Sequence, residues 1–196
     1  MQANFSVNCI MDLLGFLRQE FDLPANICSE LELAFTCETL PKHHKLLLPD
    51  SLSKKVYFIE SGLLRSYYTK DDKDITHFFF SENSFSLSIE SVFYNTPSPI
   101  GLELLEPSTL RWIYFNDLEI YINKYNQLEK LMRILLIDVM KKLSERLYMT
   151  QFQSAQERYK TILEKHPDIL LRAPLGHIAS YIGITQQRLS VIRSQK

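Results

Sequence analysis

The sequence is poor in glycine, in cysteine and in long apolar runs. Only 5 of the 196 residues are glycine, and neither GxGxxG nor GxxxxGKS/T occurs, which excludes the usual glycine-rich phosphate loops. The 3 cysteines (Cys9, Cys28 and Cys37) have no CxxC spacing and predict reduced thiols. No apolar run reaches the roughly 18 residues of a membrane span, and no charged segment precedes an apolar stretch at the N-terminus. We expect a cytoplasmic protein without a cofactor or a membrane partner.

Charge is nearly balanced overall but unevenly distributed along the chain. The net charge is −1. Residues 1–140 carry 12 Lys and Arg against 19 Asp and Glu, a net charge of −7, whereas residues 141–196 carry 10 against 4, a net charge of +6. This asymmetry indicates that only the C-terminal part meets a polyanion such as nucleic acid.

The first two thirds of the chain predict short helices followed by strands. Apolar residues recur at helical spacing over residues 9–21, and a second helix is expected over 26–35. From about Lys42 to Tyr114, runs of β-branched and aromatic residues alternate with polar turns. We expect strands at 56–59, 63–68, 75–80, 101–105 and 110–115, and a short helix at 86–94. This spacing predicts an antiparallel barrel or sandwich.

A single long helix is predicted after the strands. Between residues 127 and 149, apolar side chains recur in steps of three and four and form one stripe along an amphipathic helix. The stripe contains Leu128, Leu131, Met132, Leu135, Leu136, Val139, Leu143 and Leu147. It can be covered by the protein's own barrel or by the same helix of a second copy, and we expect both. The residues expected near a two-fold axis are Leu128, Leu135, Val139 and Leu143.

The C-terminal segment predicts a helix-turn-helix after a new helix start. Ser154 and Glu157 fit a capping box. In residues 175–194, a small residue is needed where two helices cross, which is Ala179, and glycine is favoured at the turn, which is Gly183. The apolar positions of the motif are occupied by Ile178, Ile182, Ile184, Leu189 and Ile192. All the diagnostic positions match, which is a strong signal for so short a motif.

The second helix of this motif predicts a DNA-reading surface. Thr185 is a suitable N-cap, and Gln and Arg are the types that read adenine and guanine edges in the major groove. The expected DNA contacts are Thr185, Gln186, Gln187, Arg188, Ser190 and Arg193. Arg188, in the first turn, is the expected guanine contact, whereas Arg193 and Lys196 are placed to meet phosphates. An acidic or apolar second helix would instead have indicated an interaction module without DNA binding.

Two stretches resemble a known family. Tyr57–Arg65 resembles the hairpin of cyclic-nucleotide-binding domains, and Ser154–Arg193 resembles the DNA-binding domain of the Crp/Fnr regulators. The order of barrel, long helix and helix-turn-helix resembles that family over about the full chain. The resemblance implies an α+β fold with an antiparallel β-roll sensor domain and N-terminal helices (1–126), a long dimerisation helix (127–153) and a helix-turn-helix DNA-binding domain (154–196). It implies a transcription regulator, not an enzyme.

Two positions depart from the cyclic-nucleotide branch of that family. Asn83-Ser84 stands where that branch has a glycine-acidic pair, and Ser98-Pro99-Ile100 stands where it has an arginine for the cyclic phosphate. A buried phosphate without a cation is costly, so we expect a degenerate pocket that does not bind cyclic AMP in the usual way. The expected pocket residues are Phe78, Phe80, Phe85, Leu87 and Ser98. Since the sequence given stops at Lys196, little or no wing is expected.

The expected partners are double-stranded DNA, a second copy of the chain and an unidentified small-molecule effector, with RNA polymerase as a further candidate. One alternative is a cupin-like barrel that binds a metal or a small molecule and not DNA. Its candidate ligands are His43, His44 and His77. Adjacent histidines on a strand point to opposite faces, so His43 and His44 cannot both enter one site, and no metal site is expected.

Overall fold

The protein is described by a computed structural model that covers residues 12–21, 23–71 and 73–194. The helices are α1 (Leu13–Phe21), α2 (Ala25–Ala34), α3 (Phe115–Lys124), α4 (Asn126–Phe152), α5 (Ala155–Lys165), α6 (Pro167–Arg172), α7 (Leu175–Tyr181) and α8 (Gln186–Ser194). The strands are β1 (Thr36–Leu40), β2 (Lys45–Leu47), β3 (Lys55–Ser61), β4 (Leu64–Lys70), β5 (Lys73–Phe80), β6 (Ser84–Ser86), β7 (Ile100–Leu104) and β8 (Ser108–Tyr114). A single π-helical turn, Glu90–Tyr94, precedes β7.

The strands form two four-stranded antiparallel sheets, in the orders β1-β8-β3-β6 and β2-β7-β4-β5. Side chains of β3 alternate because successive residues of a strand face opposite sides. Tyr57 and Ile59 pack between the sheets, whereas Val56 and Phe58 pack against helices on the outer face. The predicted antiparallel β-roll is thereby confirmed. Its first strand begins at Thr36, ahead of the predicted start at Lys42, because β1 pairs with β8 along its whole length.

Helices α1 and α2, with the start of α4, cover the outer face of the first sheet. The ring centroids of Phe16 and Phe58 are 5.2 Å apart, and those of Phe58 and Phe85 are 4.9 Å apart. Leu31 from α2 and Leu128 from α4 are buried in the same core. This packing ties the N-terminal helices, the β-roll and the long helix into one unit.

Only the first turns of α4 belong to that core. Leu128 and Leu131 are 2% and 6% exposed, whereas Leu136, Leu143 and Leu147 are exposed. The expectation that Leu128 lies near a two-fold axis is therefore wrong, because its side chain is enclosed by the same chain. None of the described helices, α4 included, is both long and apolar enough to cross a membrane.

The C-terminal helices form a second core, as the helix-turn-helix signal predicts. The predicted capping box is confirmed: the Ser154 hydroxyl accepts from the backbone N–H of Glu157 at 3.3 Å, and the Glu157 carboxylate accepts from the backbone N–H of Ser154 at 2.7 Å. Pro167 begins α6 directly after α5, where its missing N–H is not needed. Leu63 and Leu105 of the β-roll are buried in this second core.

Candidate nucleic-acid interface and internal cavity

The turn between α7 and α8 has the geometry that its sequence predicts. Gly183 takes a φ of +70°, a conformation that other residues rarely adopt. Its N–H donates to the Ser180 carbonyl at 3.1 Å, and the Ile184 N–H donates to the Ala179 carbonyl at 3.0 Å. Ala179 is 1% exposed, so the two helices cross closely at this small residue. The turn therefore sets a fixed angle between α7 and α8.

One face of helix α8 is buried against the protein, and the opposite face is exposed to solvent. The Thr185 hydroxyl accepts from the backbone N–H of Arg188 at 3.2 Å, which is the predicted N-cap. Leu189 and Ile192 are buried against α7 and α5. The opposite face carries the predicted DNA contacts, all of them exposed: Gln186, Gln187, Arg188, Ser190 and Arg193. The helix thus presents amide and guanidinium groups to solvent.

The helix-turn-helix docks on the second sheet of the β-roll. The backbone N–H of Thr76 in β5 donates to the Ser180 hydroxyl at 2.8 Å. The rings of Phe79 and Tyr181 lie 5.2 Å apart. The Arg146 guanidinium of α4 lies over the Tyr181 ring at 4.4 Å, an attractive cation–π geometry. These contacts join residues that are far apart in the chain.

Arg172 forms an ion-pair cluster between the two cores. From α6, its guanidinium donates to both carboxylate oxygens of Glu82, at 2.9 and 2.7 Å, and also to Glu106. Burial alone would lower the pKa of Arg172, but the hydrogen bonds to Glu106 and Glu82 outweigh it and raise that pKa. Burial alone would raise the pKa of Glu82, but Arg172 and the Gly62 N–H lower it. Arg172 and Glu82 are therefore both charged at neutral pH. The sequence offered no signal for it.

An apolar cavity of about 230 Å³ lies between the β-roll and α4. Four of the predicted pocket residues line it: Phe78, Phe80, Phe85 and Leu87. The sequence analysis did not predict the lining residues that the helices contribute. These are Leu17 of α1, Leu31 of α2, and Leu131 and Leu135 of α4. It also missed His77 and Ser86, which lie among the aromatic lining residues.

Ser98 is not a cavity residue, so that expectation is corrected. It is completely buried and pairs with the loop before β3: its N–H donates to the Ser51 carbonyl at 2.8 Å, and its carbonyl accepts from the Asp50 N–H at 2.6 Å. Its hydroxyl accepts from the backbone N–H of Ile100 at 3.1 Å. Ser98 thus anchors a loop instead of facing a ligand.

The remaining predicted interface residues on α4 differ in exposure. Leu135 is half-buried, packs on the first core and lines the cavity. Val139 and Leu143 are 42% and 43% exposed and lie at the rim of the cavity. Exposed Leu136, Met140, Leu143 and Leu147 follow one another in steps of four, three and four residues. An uncovered apolar stripe therefore runs along the second half of α4.

The histidines of the metal alternative do not come together. His43 and His44 lie in a turn and not on a strand, and His43 has a φ of +67°. The His43 imidazole lies 3.2 Å from Glu103, whereas His77 lines the cavity below α4. Within the described ranges, no three His, Cys, Asp or Glu side chains are grouped so that they could hold a metal ion.

Among known proteins, the matches to this chain are found in solved structures and identify its fold. No protein-family model matches the chain, and no curated protein matches its sequence significantly. FixK2 from Bradyrhizobium japonicum matches with a TM-score of 0.73 and 18% identity over 82% of this chain and 83% of that one. A CooA mutant from Carboxydothermus hydrogenoformans matches with a TM-score of 0.72 and 18% identity over 94% and 84%.

A third solved structure carries the family name that the sequence resemblance suggests. It is a transcriptional regulator of the Crp/Fnr family from Eubacterium rectale, with a TM-score of 0.66 and 14% identity over 89% of this chain and 83% of that one. At such identities, the agreement concerns the order and packing of the elements. The chain thus has the fold of the Crp/Fnr-type regulators, in which an antiparallel β-roll is followed by a long helix and a helix-turn-helix.

Proposed function

We propose that this chain is a dimeric, sequence-specific DNA-binding transcription regulator of the Crp/Fnr type. The observation that carries the proposal is the outer face of α8, where Gln186, Gln187 and Arg188 are exposed in the first turn. In a helix-turn-helix, the N-terminal residues of the second helix reach base edges in the major groove. Arg188 can donate two hydrogen bonds to guanine, and glutamine can do the same with adenine.

Other side chains of α8 suit the phosphate backbone better than the bases. Arg193 is exposed in the last turn, about one and a half turns beyond Arg188. The Ser190 hydroxyl donates to the Gln186 carbonyl at 3.1 Å and is therefore partly engaged within the helix. Phosphate contacts orient a protein on DNA without specifying sequence. We assign base recognition to the first turn of α8 and orientation to Arg193.

The apolar stripe on α4 supports a homodimer. Steps of four and three residues are the spacing with which two helices pack along a coiled coil. Met140 is 69% exposed and Leu147 is 55% exposed, and contiguous exposed apolar side chains usually mark an interface. Pairing the second halves of two α4 helices would cover this stripe and place two α8 helices on one DNA duplex.

The cavity supports an effector other than cyclic AMP. A cyclic phosphate needs a cation or several hydrogen-bond donors when it is buried. Among the described residues that line the cavity, the one cation is Lys142. The Lys142 ammonium already lies 2.7 Å from the Asp138 carboxylate. The site therefore offers no free positive charge to a phosphate.

The proposed function is tested by selection from a random DNA library with the purified full chain at low salt. We expect an enriched, roughly palindromic sequence with half-sites about 34 Å apart, since a two-fold dimer presents its recognition helices to successive major grooves. Enrichment of a single asymmetric half-site would argue against the dimer. No enrichment, with or without candidate effectors, would contradict DNA recognition itself.

A further inference from the structure

A groove of about 540 Å³ lies at the junction between α4 and α5. One wall is the end of β5 with the start of β6, and the others are the second half of α4, α5, α6 and the end of α7. This junction groove is partly open to solvent, and its lining mixes aromatic side chains with polar ones. Pockets of this size and lining, where domains meet, are frequent binding sites for small molecules.

The junction groove contains a cation without a partner. The Arg146 guanidinium makes no hydrogen bond and no ion pair with any described residue. Its Nη1 is enclosed, whereas its Nε and Nη2 are not. Partly buried polar groups usually have a hydrogen-bond partner, so a guanidinium without an acceptor calls for an explanation. An anion in the groove would supply acceptors to the two nitrogens that are open.

Two aromatic rings fix this guanidinium beside the groove. Its central carbon lies 4.4 Å from the centroid of the Tyr181 ring and 5.4 Å from that of the Phe78 ring. Both rings also line the groove. The rings attract the positive charge but offer no acceptor in the plane of the N–H groups. A guanidinium that is already positioned loses less conformational freedom when it binds a carboxylate or a phosphate.

The other charged side chains that line the groove are already paired. Lys165 lies 3.4 Å from the Glu145 carboxylate. Lys142 lies 2.7 Å from the Asp138 carboxylate. The remaining carboxylate, that of Glu164, pairs with a lysine of its own helix. Among the described residues of the lining, Arg146 is therefore the charge that lacks a counterion, and the groove favours an anion.

The apolar stripe of α4 lies on a different side of the helix from the groove. Successive residues of an α-helix are rotated by about 100°. Met149, which lines the groove, is therefore about 160° around the helix from Leu147 of the stripe, and Arg146 is about 100° away. Pairing two chains along the stripe would not use the side of α4 that faces the groove.

We propose that the junction groove binds a small organic anion. Its carboxylate or phosphate group accepts hydrogen bonds from the Arg146 guanidinium, and its apolar part packs on the aromatic lining. A molecule that fills the groove contacts the β-roll through Phe79, α4 through Met149 and α6 through Ile169. It therefore lies where the angle between α4 and the C-terminal helices is set. Its role as an effector rests on the proposed function, whereas its binding does not.

Calorimetry with three matched probes tests the proposal on the full chain in the absence of DNA. The probes are 2-naphthoate, 2-naphthyl phosphate and 2-naphthamide, which share a ring system; the first two are anions and the third is neutral. We expect both anions to bind about 3- to 10-fold more tightly than 2-naphthamide at low salt, because hydrogen bonds to a charged group are stronger. Whichever anion binds more tightly identifies carboxylate or phosphate as the preferred group.

Two variants locate the site. Arg146→Met keeps an unbranched apolar side chain but removes the charge and the donors, and it should abolish the preference for the anions. Lys141→Met is the control, because it also removes one positive charge from α4, but Lys141 is exposed and does not line the groove. This control variant should keep the preference of the wild type.

Chemical modification of the wild type gives a second measurement, which decides the matter if Arg146→Met does not fold. Phenylglyoxal reacts with arginine side chains, and mass spectrometry of peptides gives the rate at each arginine. Bound 2-naphthoate should slow the modification of Arg146 and leave that of Arg193, exposed on α8, unchanged. The same concentration of 2-naphthamide should protect Arg146 less.

Three outcomes would overturn the proposal. The first is that 2-naphthamide binds as tightly as both anions, and the second is that the preference survives in Arg146→Met or is lost equally in Lys141→Met. The third is that 2-naphthoate leaves the modification rate of Arg146 unchanged. Because no DNA is present, each of these results leaves the library selection untouched. A failed selection together with Arg146-dependent binding would contradict the proposed function alone.

Discussion

Arg188 and Arg193 have the same charge and lie on the same helix, but we predict different effects when each is removed. Arg188→Ala should flatten the preference among selected DNA sequences, with a loss of about 1–3 kcal/mol of discrimination at one base pair. Arg193→Ala should weaken binding to all sequences alike and reduce the slope of log affinity against log salt by about one. Fluorescence anisotropy with selected and scrambled duplexes at several salt concentrations measures both.

The control for this pair is Lys70→Ala, at the exposed end of β4 and outside the helix-turn-helix. It should change neither the sequence preference nor the salt slope. If Arg188→Ala and Arg193→Ala instead lower affinity equally for every sequence, Arg188 does not read a base. The recognition role would then move to Gln186 or Gln187.

His77 predicts a pH dependence of stability. Its folded-state pKa is lowered to about 4 by burial and by Arg146, against the usual 6.5. A lowered pKa means that the unfolded chain binds the proton first as the pH falls below about 6.5. Stability is therefore fully present above pH 6.5 and is lost as the pH falls toward 4. Since His77 is only partly buried, we expect a loss of about 1 kcal/mol between pH 7 and pH 5.

Urea unfolding at pH 7 and pH 5, at one protein concentration, checks this prediction. His77→Gln keeps a polar, uncharged side chain and should lose less stability over this range than the wild type does. His166 and His177, whose pKa values are also lowered mainly by burial, remain in both proteins. Equal losses in the two proteins would show that the His77 pKa is not shifted.

At the scale of elements, α4 changes its role along its length. Its first turns pack on the β-roll, and its second half exposes an apolar stripe. The double variant Met140→Asp/Leu147→Asp should give monomers in multi-angle light scattering. Each buried aliphatic side chain contributes about 1.5–3 kcal/mol to an interface, and the added carboxylates would face each other across the two-fold axis. Neither residue lines the cavity, so the β-roll should stay intact.

The matched control is Leu33→Asp/Leu171→Asp. Both side chains are 88% exposed and lie on α2 and α6, away from the stripe. This variant should stay dimeric. A dimer that survives the α4 substitutions, with an unchanged circular dichroism spectrum, would place the interface elsewhere on the molecule.

At the scale of the whole molecule, Arg172 connects the helix-turn-helix to the β-roll. Arg172→Ala should lower the free energy of unfolding by about 2 kcal/mol, because it leaves two partly buried carboxylates without their cation. Amide exchange in α7 should accelerate as the docking weakens. Because the lowered pKa of Glu82 keeps it charged at neutral pH, the cluster contributes above the usual carboxyl pKa and is lost as the pH falls below it.

Urea unfolding and hydrogen exchange measure these effects, and Lys160→Ala is the control. Lys160 makes an exposed ion pair with Glu164, at 3.7 Å, and such pairs contribute little. Arg172→Lys should fall between the wild type and Arg172→Ala, since an ammonium cannot bridge two carboxylates as a guanidinium does. Unchanged amide exchange in Arg172→Ala would mean that the apolar contacts alone hold the domains together.

The sequence by itself determined the features that depend on neighbouring residues. The capping box at Ser154, the turn at Gly183 and the length of α4 each follow from side chains within a few turns of one another. Local hydrogen bonds, backbone preferences and helical periodicity act over that range, so contiguous residues carry the signal. The runs of β-branched and aromatic residues between polar turns predicted an antiparallel barrel or sandwich for the same reason, and the resemblance to the Crp/Fnr regulators implied that it is a β-roll.

Only the tertiary structure determined which segments that are distant in the sequence contact each other. Leu128 is enclosed in the core, Ser98 anchors a loop instead of lining the expected pocket, and a cavity lies between the β-roll and α4. Arg172 also contacts Glu82, 90 residues earlier in the chain. These contacts depend on how whole elements pack, and an amphipathic stripe does not specify which surface covers it. That choice follows from the shape of the assembled β-roll.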